Sequence, residues 1–266
     1  MFVMKAFRLD GQVAMVIGGA RTLGFDMADA IAEAGADMVI TSRSLESAAE
    51  AAEKIKQAHG RDALSLALDH TDEKIVAEVF DRARDWKGRL DVVVNNAGGT
   101  IGSNRHLFER DPGHVRQMVE LNVTGTLLCC QAAAKIMTKQ GHGKIINVGS
   151  IAGMVGRDRR IYDRNNMDGQ PIDYAAAKAG VIGMTRDLAG LLGPMNIHVN
   201  CISPGGFARQ QPGNFERDYS DQTPLGRMGR DGSNDLKGPV VFLASAASDY
   251  VTGLNLVVDG GFWFWK

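Results

Sequence analysis

Tyr174 and Lys178 stand four apart in the run Ile172-Asp173-Tyr174-Ala175-Ala176-Ala177-Lys178-Ala179-Gly180. On a helix this spacing puts both side chains on one face, one turn apart. A phenol with a pKa near ~10 is a poor acid–base catalyst at neutral pH. A cation one turn away favours the phenolate and lowers that value. The pair can therefore hold a proton donor near working pH, as general acid catalysis requires. The small residues around it let a cofactor or another helix approach closely. A Tyr and a Lys at this spacing also occur on ordinary surface helices, so the reading depends on the other motifs of the chain.

The chain has 266 residues, long enough for one large α/β domain or two small ones. With 30 basic and 31 acidic residues the net charge is -1, which gives no electrostatic case for nucleic acid or an acidic membrane surface. Cys129, Cys130 and Cys201 show no metal-type clustering. Two are adjacent and suit reduced core positions in a cytoplasmic protein better than a disulfide framework. No apolar run approaches a membrane-spanning length, and the first ten residues lack a cleavage-site pattern. Without repeats or Pro/Gly/Ser linkers, a single domain over 1–266 is expected.

The elements that must position Tyr174 begin with the apolar run Val13-Ala14-Met15-Val16-Ile17. It ends in Gly18-Gly19-Ala20-Arg21-Thr22-Leu23-Gly24, and Leu23, Met27, Ile31 and Ala34 then follow on one helical face. Strand, glycine turn and helix aim backbone N–H groups at a pyrophosphate. The turn resembles the T-G-x-x-x-G-x-G of short-chain dehydrogenases/reductases, with Ile17 for Thr and Thr22 for the middle Gly. The resemblance places Gly18, Arg21, Thr22, Leu23 and Gly24 at the cofactor, with Thr22 either narrowing the phosphate space or offering it a hydroxyl. The second strand ends in Ser42-Arg43, where an acidic residue would bind a ribose 2′-hydroxyl and a basic one would suit a 2′-phosphate. Ser42, Arg43 and Arg21 together point to NADP(H), with NAD(H) as the lesser option.

A third strand, Ala63 to Leu68, leads to Asp69 and His70. By the resemblance both belong to the cofactor set, Asp69 against the adenine; an N-cap of the next helix is the other reading of Asp69. Ile75, Val76, Val79, Phe80, Ala83 and Trp86 form a helical core stripe. The strand Leu90 to Val94 ends in Asn95-Asn96-Ala97-Gly98, which resembles the family's N-N-A-G and puts Asn96, Ala97 and Gly98 beside the adenine ribose. A helix begins near Asp111-Pro112 and carries Asn122 on an apolar stripe. Matching the family, Asn122 perturbs that helix and holds a proton-relay water. The strand Lys144 to Val148 ends in Gly149-Ser150, and Ser150 matches the catalytic serine.

Between Ser150 and Tyr174 lie 23 residues, about twice the family's commonest spacing, so an insertion is expected at about 154–172. Tyr162 falls nearer the usual distance, but the residue four beyond it is Asn166, and Tyr174 is therefore assigned. The insertion offers Arg157, Arg159, Arg160 and Arg164 among Asp158, Asp163 and Asp168. It is either a substrate lid, in which one Arg could clamp a carboxylate, or a solvated or subunit-packing loop. After Ile197 to Ile202 comes Ser203-Pro204-Gly205-Gly206-Phe207, where Pro204, Gly205 and Phe207 match the nicotinamide-facing turn. Arg209 replaces the usual Thr. A polar, Gly/Pro-containing substrate loop is expected at about 208–230.

The resemblance covers about residues 9–261. It implies a doubly wound, Rossmann-like α/β fold: a mostly parallel sheet of about seven strands with helices on both faces. It also implies hydride transfer between NADP(H) and a carbonyl or secondary alcohol through Asn122, Ser150, Tyr174 and Lys178. The opening Phe7 to Val13 and the insertion favour a sugar, polyol or sugar-acid substrate. A 3-oxoacyl-(acyl-carrier-protein) reductase and a non-catalytic NADP-binding scaffold or sensor are the alternatives. The aromatic tail Phe262 to Lys266 and the small-residue face at Ala176, Ala179 and Gly183 suggest a homotetramer or homodimer.

Overall fold

The computed structural model describes residues 2–102 and 107–264. Its strands are β1 Val13–Ile17, β2 Asp37–Ser42, β3 Ala63–Ala67, β4 Val92–Asn95, β5 Gly143–Val148, β6 Ile197–Pro204, β7 Phe207–Ala208, β8 Gly229–Arg230 and β9 Asn255–Val258. Its α-helices are α1 Thr22–Glu33, α2 Leu45–His59, α3 Glu73–Lys87, α4 Pro112–Val119, α5 Gly125–Gln140, α6 Arg160–Asp163, α7 Ile172–Leu192, α8 Phe215–Ser220 and α9 Asn234–Ala244. Side-chain oxygens start several of them. Asp72 accepts from the N–H groups of Lys74 and Ile75 ahead of α3, Ser44 accepts from Ser47 ahead of α2, and Asp111 accepts from His114 with Pro112 in the first turn of α4.

Seven strands form one sheet in the order β3-β2-β1-β4-β5-β6-β9, and every pairing is parallel. A parallel sheet is covered on both faces, which is why β1 reads as an unbroken apolar run. Val13, Met15 and Ile17 enter the core shared with α3 and α5, where Phe80 and Met137 sit. Ala14 and Val16 enter the opposite core with Met27 and Ile31 of α1, Ile55 of α2 and Val240 of α9. The strand order reverses between β1 and β4, so their C-terminal ends open a crevice where ligands bind in such sheets.

A third, smaller apolar cluster lies beyond the C-terminal ends of the strands. It joins Ile151, Ile161 of the insertion, Phe215 and Tyr219 of α8, Met228 and Phe262. Phe262 is 4% exposed and stacks on Tyr219 with ring centroids 4.4 Å apart. The tail was expected to need a second subunit to cover it; at Phe262 its own chain does so, because α8 presents an aromatic face. Phe264 remains exposed, and Trp265 and Lys266 lie outside the described residues. Among the described residues no helix is long and apolar enough to cross a membrane.

Candidate active site

A cleft of about 1020 Å³ runs along the C-terminal ends of the strands, from Arg21 and Arg43 at one end to Tyr162 and Phe215 at the other. Its floor is the glycine turn. Gly18 has φ +72°, the left-handed region that glycine enters without strain. A Cβ on Gly24 would stand 2.1 Å from Gly18 O and 2.5 Å from Asn96 Nδ2, so no side chain fits. Asn96 Nδ2 donates to Gly18 O at 2.9 Å, and Ala97 N donates to Ile17 O at 2.8 Å. The Asn95-Asn96-Ala97-Gly98 turn is thereby bolted to the glycine turn. Arg21, Thr22 and Leu23 line the cleft, while Gly24 packs beneath it. Thr22 has φ +48°, an outlier for a β-branched residue; the turn holds Thr in a conformation that glycine adopts without strain.

At the far end Ser42 and Arg43 line the cleft with Leu68 and His70. His70 Nε2 donates to Leu121 O at 2.8 Å, and burial holds its pKa below the ordinary value, so the ring is neutral. Asp69 is not among the lining residues. Its carboxylate accepts from Thr71 N at 3.0 Å and Thr71 Oγ1 at 2.7 Å. These bonds hold its pKa down, with a smaller contribution from nearby Arg43. Asp69 shapes a turn, and the cap of α3 is Asp72 rather than Asp69.

The reaction centre brings Ser150, Tyr174 and Lys178 to one wall, with Asn122 behind it. Asn122 has no exposed surface and sits in a π-helical turn, Glu120–Thr124, between α4 and α5. π-Turns of this kind re-aim backbone groups inside a helix. Here Leu121 O is freed for His70, and Asn122 grips Gly99. Its Oδ1 accepts from Gly99 N at 3.0 Å, and its Nδ2 donates to Gly99 O at 2.9 Å. Ser150 caps a 3-10 turn by accepting from Ala152 N at 3.1 Å.

Lys178 Nζ donates to Val148 O at 2.7 Å, and burial pushes its pKa down to about 8. Its ammonium lies 5.9 Å from the Tyr174 ring centroid. Tyr174 itself is pushed up by burial; neighbouring Ser150 and the charges of Arg157 and Arg209 oppose that rise. The expectation was that Lys178 depresses the phenol; here burial raises it and Lys178 is not among the groups that oppose the rise. One N–H of the ammonium goes to the strand-end carbonyl of Val148, and the cations that oppose the rise at Tyr174 are Arg157 and Arg209.

Pro204 at the end of β6, Gly205 after it and Phe207 of β7 line the same cleft. Gly205 N donates to Val258 O at 3.0 Å, and Gly206 N donates to Tyr219 Oη at 2.7 Å. Arg209 pairs with Asp231 at 2.9 Å, tying the residue after β7 to the residue after β8. The segment between Ser150 and Tyr174 lines the other end of the cleft. Arg157, Tyr162, Asp168 and Gln170 line the cleft, and the Tyr162 ring meets Phe215 at 5.1 Å. Tyr162 is in the short α6, so only Tyr174 shares a helix with Lys178.

The sequence reading did not find Arg110. Its guanidinium donates to both oxygens of Asp173, the shortest bond being 2.7 Å, and to Ile101 O at 2.7 Å. The two side chains are 6% and 9% exposed. The pair fastens the segment after Gly99 to the first turn of α7, next to Tyr174. Asp173 beside Tyr174 was a visible signal; its partner 63 residues away was not.

A family model described as enoyl-(acyl carrier protein) reductase matches residues 18–263. The chain belongs to the short-chain dehydrogenase/reductase family. This dehydrogenase/reductase is 36% identical over 266 residues to 2-dehydro-3-deoxy-D-gluconate 5-dehydrogenase of Dickeya dadantii, covering 97% of this chain and 98% of the other. It is 31% identical to a 3-oxoacyl-(acyl-carrier-protein) reductase of Aquifex aeolicus, covering 96% and 98%. A solved gluconate 5-dehydrogenase of Burkholderia cenocepacia, in complex with NADP and tartrate, superposes with a TM-score of 0.87 at 32% identity, covering 97% and 98%. The family makes this chain an oxidoreductase acting on CH–OH groups with NAD(P).

Proposed function

We propose that this enzyme transfers hydride reversibly between NADP(H) and the carbonyl or secondary alcohol of a sugar, polyol or sugar acid. The observation that carries the reading is the meeting of Ser150 and Tyr174 on the wall of a cleft whose other end is the glycine turn. The cradle fits a dinucleotide: Gly24 tolerates no side chain, and the Asn96 bond to Gly18 O holds the turn open. The bound nicotinamide supplies the hydride chemistry. The chain's own residues handle the proton. Tyr174 Oη gives or takes it at the substrate oxygen, and Ser150 Oγ hydrogen-bonds that oxygen. Lys178 is placed to hold the nicotinamide ribose, and Asn122 to position a relay water.

Arg43 and Arg21, with Ser42 in place of a carboxylate, favour a 2′-phosphate and hence NADP(H). The polar lining from the insertion, with Arg157, Asp168 and Gln170, and the gluconate-type relative favour a hydroxylated substrate. The 31% identical relative keeps 3-oxoacyl-carrier reduction as the second reading; a balanced charge without a basic face for an acidic carrier weighs against it. A homotetramer or homodimer is part of the proposal, through the exposed Ala176, Ala179 and Gly183 of α7. NADPH consumption against keto-sugars, keto sugar acids and oxoacyl thioesters tests the reading. Turnover of the sugar-type compounds is expected, and turnover of thioesters alone would replace it with the second reading.

A further inference from the structure

Five arginines stand at the substrate end, Arg157, Arg159, Arg160, Arg164 and Arg209, and the structure separates them. Arg160 pairs with Asp158, Arg164 with Asp218 and Arg209 with Asp231. Arg159 is exposed, donates to Gln170 O at 2.8 Å and does not line the cleft. Arg157 lines the cleft, is half-buried, and has no acidic partner among the described residues. Its Nη1 donates to Gln170 Oε1 at 2.7 Å and its Nη2 reaches Pro171 O at 3.4 Å. Tyr162 is its remaining neighbour of this kind. All are neutral groups, and a guanidinium has five N–H donors. A cation taken partly out of water without a counter-ion is costly, and a bound anion offsets that cost.

We infer that Arg157 is the seat of a substrate carboxylate, so that the preferred substrate is a carboxylate-bearing alcohol or ketone rather than a neutral polyol. The inference rests on the hydride-transfer reading above and narrows its substrate class. Arg157 and Tyr174 line the same cleft, so an acid docked on the guanidinium presents its hydroxyl-bearing carbons toward the phenol. The seat is held in place. Asn165 Nδ2 donates to Ile161 O at 2.8 Å and Asp218 Oδ2 at 2.9 Å, and Asn165 Oδ1 accepts from Asn214 N at 2.7 Å, which locks the insertion onto α8. Two carboxylates share the cleft, Asp158 and Asp168. Asp158 is occupied by Arg160, and Asp168 has a partner of its own.

The test is binding of two matched probe pairs to the full-length protein carrying NADP+, by titration calorimetry. The pairs are D-gluconate against D-glucitol and 4-hydroxycyclohexanecarboxylate against cyclohexanol. The wild type should prefer the acid in at least one pair by roughly 10-fold or more, the scale of one charge-assisted contact. Arg157→Gln should abolish the preference with NADP+ affinity unchanged. Arg157→Lys, which keeps the charge but not the fork, should retain part of it and carries the test if the Gln variant does not fold. Equal binding of acid and neutral partner, binding of none of the four, or a preference that survives Arg157→Gln overturns the inference. Arg157→Gln should also move the pH dependence of alcohol oxidation upward, since a cation acting on Tyr174 is lost; a purely structural Arg157 leaves it in place. Neutral ketones consumed with NADPH equally well by wild type and Arg157→Gln, with no acid preference, would remove the carboxylate seat and leave the hydride-transfer reading standing.

Discussion

Asp173→Asn strikes a buried ion pair beside Tyr174. In the folded chain Arg110 Nε lies 3.1 and 3.3 Å from the two carboxylate oxygens of Asp173, and Nη2 lies 2.7 Å from one of them. With side-chain exposures of 6% and 9%, water cannot replace what the amide fails to supply. Breaking a buried pair from one side costs about 3–5 kcal/mol. At roughly 2–4 °C per kcal/mol for a chain of this size, the melting temperature should fall by about 6–20 °C. Removing both charges together, as Arg110→Met with Asp173→Leu, should cost much less, because no uncompensated charge is left. The assay is urea unfolding of the two variants beside steady-state kinetics. Asp173→Asn should lower kcat more than it raises the cofactor KM, since α7 begins at Ile172 and its first turn carries Tyr174. A loss under about 1 kcal/mol, the range of exposed pairs, would refute the claim that this pair fastens the site.

Three further outcomes are expected. Thr22→Gly removes a β-branched residue from φ +48°; relief of about 1–3 kcal/mol, less about 0.5–1 kcal/mol for glycine's chain entropy, should hold or raise the melting temperature, and a clear fall would disprove the strain. Arg43→Gln should weaken NADP+ by roughly one to two decades, the value of a charge-assisted phosphate contact, and leave NAD+ nearly unchanged; equal wild-type affinities for the two cofactors would sink the 2′-phosphate assignment. Asp235 is held by Arg227 at 2.7 Å, which brings its pKa down to about 2. A depressed carboxylate stabilises above its unfolded value and loses that contribution as pH falls through its folded one. The stability gap between wild type and Asp235→Asn should therefore close between about pH 4 and about pH 2, and a gap that stays constant would contradict the pairing.

The sheet was legible because a parallel strand buried on both faces leaves an unmistakable apolar run, as Val13–Ile17 does, and because several of the runs ended in Gly, Asn or Ser turns. The glycine turn was legible for a related reason: Gly18, Gly24 and Asn96 are demanded by backbone approach, and that demand shows in the residue type. What sequence did not show is what depends on distant partners. Nothing near Arg110 announced Asp173, and nothing near Tyr219 announced that its hydroxyl accepts from Gly206 and its ring covers Phe262. The expectation that Lys178 tunes Tyr174 came from one-turn spacing. Spacing fixed the shared face but not the direction of the ammonium, which Val148 O captures. The four arginines of the insertion were equivalent on paper; ion pairs set Arg160 and Arg164 apart, and of the remaining two only Arg157 lines the cleft. Asn122 was read as perturbing its helix, and the π-helical turn at Glu120–Thr124 is the form that perturbation takes.

The central claim is that Tyr174, and not Tyr162, moves the proton. Tyr174→Phe and Tyr162→Phe should be compared in NADPH consumption on the best carbonyl substrate, with NADP+ affinity measured in parallel. Tyr174→Phe should lower turnover by on the order of 10²–10⁴ with NADP+ affinity nearly unchanged, while Tyr162→Phe loses little. A large loss in Tyr162→Phe and a mild one in Tyr174→Phe would contradict the account and move the reaction centre into the insertion.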